Sequence, residues 1–198
     1  MIYHEFADQL ITLRNADLAF REKLVKSGQL GEGYHAEMAK IHKHNAEALD
    51  EIMEAIGYPS IDKVGQEASA AAWLIIQHAI GHPQFMKKCA VLLKAAVTEH
   101  KADPKNLAYL KDRIAVFEGK PQLFGTQFDW DANGELSPNV YDDLSKVNER
   151  RKILSLNTLE EQTKVIRQQA KDENQAPPPD YLKRKAEIEK WKKSVGWI

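Results

Sequence analysis

The residues of this chain that could do chemistry are polar side chains set into apolar helical stripes. Between Ala68 and Ile80 the chain reads ASAAAWLIIQHAI, apolar all round its circumference, with adjacent Gln77 and His78 interrupting the run. Such a segment is a buried helix, and a buried polar group without a partner costs about 1–3 kcal/mol. Gln77 and His78 are therefore expected either to be hydrogen-bonded inside or to line a pocket. Imidazole exchanges protons near neutral pH, so His78 is the expected general acid/base. Asp112 and Arg113 flank the Leu110–Ile114 stripe and are expected as the carboxylate partner of His78 and as an anion clamp. Asn45 lies in the Met38–Ile41–Leu49 stripe with His42 one turn away, and both are expected to line the same polar pocket. Asp17 and Arg21, four residues apart on one seam, are spaced to pair with one another.

Two motifs have metal-like spacing, and no metal is assigned from either. His78 and His82 stand at i and i+4, as helical ligands do. Yet His82 lies between Gly81 and Pro83, where the helix ends, and no HExxH glutamate accompanies it. Asp129-Trp-Asp131-Ala-Asn133-Gly134-Glu135 resembles the opening of a calcium loop, but Val140 occupies the place of the closing glutamate. Asp, Asn and Gly in such a cluster also make an ordinary tight turn. His35 and His44 do not share a helical face with His42 and read as solvent-facing. Cys89, the one cysteine, falls among Phe85, Leu92, Leu93 and Ala96 and reads as a small buried hydrophobe. GxSxG, P-loop and GxGxxG templates do not occur.

These side chains must be positioned by helices. Three- and four-residue apolar spacing dominates the chain. The first helix ends at the glycines Gly28, Gly31 and Gly33. A second runs from about Tyr34 to Ile56, stopped by Gly57-Tyr58-Pro59, and a third from Ile61 to Ile80. A fourth covers Gln84 to His100, and a fifth is capped by Asp103 with Pro104 in its first position. The period breaks over GKPQLFGTQFDWDANGELSP, where Asn133-Gly134 signals a hairpin turn. It resumes with Val140, Leu144 and Val147, and Thr158 with Glu161 makes a capping box. The prediction is an all-α domain of about six to eight helices with a short β-hairpin or ordered loop around 121–138. Residues 1–175 are expected as one domain with an insertion at 119–138, 176–179 as a proline linker, and 180–198 as a helix packed on the domain.

The 198 residues are 43% hydrophobic and 29% charged, with a net charge of -1. That balance is globular and gives nucleic acid no basic face to bind. No apolar run approaches the roughly 18 residues of a membrane span, and the amphipathic start lacks a signal-peptide pattern. A cytoplasmic protein free of membrane and nucleic acid is expected, and no cofactor or oligomeric state is implied.

Several strings together resemble a bacterial family known as domain of unknown function 6624. They are Val64–Ser69, Ala72–Ala79 with its QHA, Ala108–Ile114 with its DRI, Glu118–Gln127 with PQ-x-x-GTQ, Val147–Arg151, and the terminal Trp191 and Gly196-Trp197. Ser155 departs from the glycine that family places there. The resemblance supplies no activity; it stresses Gln77, His78, Asp112, Arg113, Gln122, Thr126 and Gln127. The leading expectation is an enzyme acting on a small polar metabolite, with His78, Asp112 and Arg113 catalytic. Gln77, Gln122, Thr126, Gln127, His42 and Asn45 bind ligand, the loop glutamines and Thr126 closing over Gln77 and His78. A ligand- or partner-binding module and a purely structural polar network are the alternatives.

Overall fold

In a computed structural model, residues 3–27 and 35–198 are described. Among them are nine helices: α1 (His4–Lys26), α2 (Ala36–Ile56), α3 (Ile61–Val64), α4 (Gln66–His78), α5 (Pro83–Thr98), α6 (Pro104–Phe117), α7 (Leu144–Ile153), α8 (Leu159–Asp172) and α9 (Tyr181–Val195). A two-stranded antiparallel hairpin, β1 (Phe128–Trp130) with β2 (Leu136–Pro138), lies between α6 and α7. This is the expected all-α fold with one hairpin. The helix count exceeds the predicted six to eight because the segment from Ile61 is divided at Gly65. There the backbone has φ +83°, a left-handed turn that interrupts the helical ladder. The glycines expected to end the first helix lie outside the described residues.

The chain divides into two compact units, Met1–Leu107 and Ala108–Ile198. In the first unit α1 packs on α2, α3 and α4, and α2 packs on α4. The stripes meet as their spacing requires: Leu10, Leu13 and Leu24 of α1, Met38, Leu49 and Ile52 of α2, and Ala68, Ala72, Ile75 and Ile76 of α4 are all buried. A salt bridge of 2.7 Å from Lys88 to Asp50 ties α5 to α2.

In the second unit α8 packs on β2 and α7 on α8. The Arg167 Nε donates to the Leu136 carbonyl at 2.9 Å. The C-terminal helix docks on the end of α6. Trp191 and Trp197 lie 5.6 and 5.0 Å from the Phe117 ring, and the Lys192 ammonium donates to the Val116 carbonyl at 3.0 Å.

Candidate functional site

Three helices of the first unit each bring one polar side chain to a common point. Asp17 comes from α1, where it sits in the middle of the buried Leu10–Leu13–Leu24 stripe and is itself fully buried. His42 comes from the buried face of α2, and His78 is the last residue of α4. The Nδ1 of His78 lies 2.8 Å from Asp17 Oδ2, and the Nε2 of His42 lies 3.4 Å from the same oxygen. The two imidazole rings are 5.1 Å apart. His78 is the member that reaches solvent, its side chain 25% exposed against 8% for His42 and 0% for Asp17. Asn45, one turn along α2, donates to the Leu13 carbonyl at 3.2 Å and clasps α2 against α1 beside the cluster. Gln77, next to His78, is half-buried.

Burial alone would raise the pKa of the Asp17 carboxyl. The hydrogen bonds and charges of His42 and His78 outweigh it and hold the group well below the usual carboxylate range. A carboxylate that accepts the Nδ1–H of an imidazole fixes its tautomer and leaves Nε2 as the basic nitrogen. The cluster therefore has the parts of a proton-transfer centre: a buried anion, an oriented imidazole with an exposed edge, and a second imidazole in contact.

The carboxylate that meets His78 is thus Asp17, where the sequence pointed to Asp112. Nor does Asp17 pair with Arg21, which is exposed. Asp112 is fully buried, and its oxygens are spent on the loop that follows α6. They accept the amide N–H groups of Leu123 at 2.9 Å, Phe124 at 3.2 Å and Thr126 at 3.0 Å, together with the Thr126 hydroxyl at 3.1 Å. Burial pushes the Asp112 pKa up against these donors, which pull it down. Gln122 is also fully buried and pairs with the backbone of Gln127 in both directions, accepting its N–H at 2.7 Å and donating to its carbonyl at 3.0 Å. The Arg113 Nε donates to Gln127 Oε1 at 2.9 Å, and Gln127 Nε2 to the Thr126 hydroxyl at 3.0 Å. Burial lowers the Arg113 pKa.

Arg151 of α7 grips the same loop by its carbonyls, donating to Phe124 at 2.9 Å and to Gly125 at 3.5 Å, and it ties in the α7–α8 connection through the Asn157 carbonyl at 2.6 Å. Asp112 holds the loop's N–H groups and Arg151 its C=O groups, which is how buried backbone is satisfied without regular structure. The glycine of the GTQ string suits its backbone: Gly125 has φ +63°, and a Cβ there would also press on the Leu159 side chain, 2.8 Å from its Cδ1. So Asp112, Arg113, Gln122, Thr126 and Gln127 come together in the second unit, and His42, Asn45, Gln77 and His78 in the first, with Asp17 added.

The calcium-like string folds as a turn. Asp131 Oδ1 accepts from Asn133 N at 2.8 Å and Glu135 N at 3.0 Å, and its Oδ2 from the Ser137 hydroxyl at 2.8 Å. Asp129 pairs with Arg184 of α9 at 2.8 Å. His82 precedes α5 as its N-cap residue. Among the described residues, Asp17, His42 and His78 are the histidine, cysteine and carboxylate side chains whose donor atoms converge closely enough for a shared ion, all within 4.8 Å of one another.

A model of a family of unknown function, DUF6624, matches residues 4–182. The chain belongs to this family. No curated protein matches it, and no solved structure does. The DUF6624 match spans both the Asp17–His42–His78 cluster and the Asp112-anchored loop. Among the described residues no helix is long and apolar enough to cross a membrane.

Proposed function

We propose that this DUF6624 chain is an enzyme acting on a small polar substrate, with Asp17, His42 and His78 as its reactive centre. One observation carries this reading: a fully buried carboxylate is bonded at 2.8 Å to an imidazole that is itself partly exposed. Burying a carboxylate is costly unless partners compensate it. Here the partners are two histidines, the residue type suited to moving protons at neutral pH. The centre's chemistry is activation of water or a substrate hydroxyl, with Asp17 orienting and His78 facing the substrate. Gln77 beside His78 is the hydrogen-bonding neighbour that selects a polar ligand. For Asp112, Arg113, Gln122, Thr126 and Gln127 the hydrogen bonds support a different role, that of holding the 122–127 loop in one shape. The near-neutral charge supports a role away from nucleic acid, and the setting proposed for it is the bacterial cytoplasm.

The test is turnover of a panel of small polar esters, amides and phosphoesters by the full chain and by His78→Gln. Loss of a positioned acid/base lowers rate by about 10²–10⁴-fold, so a substrate turned over by the wild type should fall by that factor in His78→Gln. A turnover that survives the substitution overturns the assignment.

A further inference from the structure

From the same three side chains we infer that the reactive centre is a binding site for one divalent transition-metal ion, of which Zn²⁺ is the representative; the inference rests on the proposal that this cluster is the working site. Imidazole nitrogens with one carboxylate oxygen form the donor set that borderline-soft divalent ions take. The spacing fits. Two ligands each about 2.1 Å from an ion stand roughly 3.0–3.4 Å apart at octahedral to tetrahedral angles. The two edges that meet at Asp17 Oδ2 measure 2.8 Å to His78 Nδ1 and 3.4 Å to His42 Nε2. The third edge, between the two imidazoles, is within 4.8 Å.

A second observation points to a cation independently. Asp17 Oδ1 is buried and accepts no hydrogen bond among the described residues. A buried carboxylate oxygen left in that state is unfavourable, and a positive ion beside the carboxylate removes the penalty for both oxygens. The ligands are supplied by three different helices packed on one another, so the donors are held in place before any ion arrives. With three protein ligands a bound ion would retain an open position for water. A water held there is ionised near neutral pH, which supplies the activated nucleophile that the proposed function calls for.

The experiment titrates the chelator-stripped full chain with ZnCl₂ in a calorimeter. The expected result is one ion per chain, with affinity falling roughly 100-fold or more in Asp17→Asn and in His42→Gln. His44→Ala, which removes an exposed histidine of α2, should bind as the wild type does. Absence of saturable one-to-one uptake by the wild type overturns the inference, as does uptake unchanged in both Asp17→Asn and His42→Gln. Because the core variants can lose their fold, Co²⁺ loading of the wild type gives a second readout. Intense visible bands of a four- or five-coordinate ion support the site, and the weak spectrum of a six-coordinate aqueous ion counts against it. If no ion binds but turnover depends on His78, the metal is withdrawn and the proton-transfer reading stands. If an ion binds and turnover is indifferent to His78→Gln, the proposed function fails and the metal site remains.

Discussion

Replacing Asp112 by asparagine removes one negative oxygen from a carboxylate that serves four donors. In the wild type Oδ1 accepts from Leu123 N and Phe124 N, while Oδ2 accepts from Phe124 N, Thr126 N and the Thr126 hydroxyl. Asparagine keeps a single acceptor oxygen. Turned toward Leu123, it sets its own NH₂ against the Thr126 amide; turned the other way, it does the same to Leu123. At least one buried N–H is orphaned, at about 1–3 kcal/mol, and the surviving bonds lose the charge that makes such contacts worth roughly 1.5–3 rather than 0.5–1.5 kcal/mol each. Against this, the neutral amide escapes the burial penalty that raises the Asp112 pKa. The net expectation is a loss of about 2–4 kcal/mol of unfolding free energy. Urea unfolding of the full chain at neutral pH gives the number, and hydrogen exchange at the Leu123, Phe124 and Thr126 amides gives the location. A change below about 1 kcal/mol, or unaltered protection of both the Leu123 and the Thr126 amides, would refute the view that this carboxylate builds the loop.

Three further outcomes follow from particular contacts. Cys89 is fully buried and burial pushes its thiol pKa up, so a thiol reagent should label it at the rate of global unfolding; fast labelling of the native chain counts against the packing described. Gly125→Ala forces a Cβ into Leu159 at a left-handed φ, and should cost about 1–3 kcal/mol in thermal or urea unfolding. Thr158→Ala removes half of a capping box in which Glu161 Oε2 also accepts the Thr158 amide at 2.9 Å, and should cost about 1 kcal/mol.

Much of the architecture was legible because helical period is a local property. The stripes of α1, α2 and α4, the stop at Gly57, the capping box at Thr158 and the break between α6 and α7 can each be read within a dozen residues. Gly65 was harder, because both sides of it continue an apolar run and its positive φ leaves no mark on the periodicity. Which residues would share a site was less legible still. His42 and His78 stood out as polar groups on buried faces, but a stripe does not say which other stripe it meets. Asp17 carried the same signal, an acid in the middle of Leu10, Leu13 and Leu24. Its i, i+4 neighbour Arg21 offered a local partner, and the local pairing concealed the long-range one. Asp112 failed in the opposite sense: a carboxylate beside an irregular loop suggests catalysis, and in the fold it supplies the acceptors that the loop's own backbone lacks.

X-ray absorption at the zinc edge of the full chain loaded with one equivalent of Zn²⁺ tests most directly whether three helices converge their donors on one reactive point. The expected inner shell is two imidazole nitrogens, one carboxylate oxygen and solvent at about 2.0–2.2 Å, with the imidazole scattering halved in His42→Gln. An inner shell of oxygen alone, or imidazole scattering that survives the loss of both His42 and His78, would contradict it.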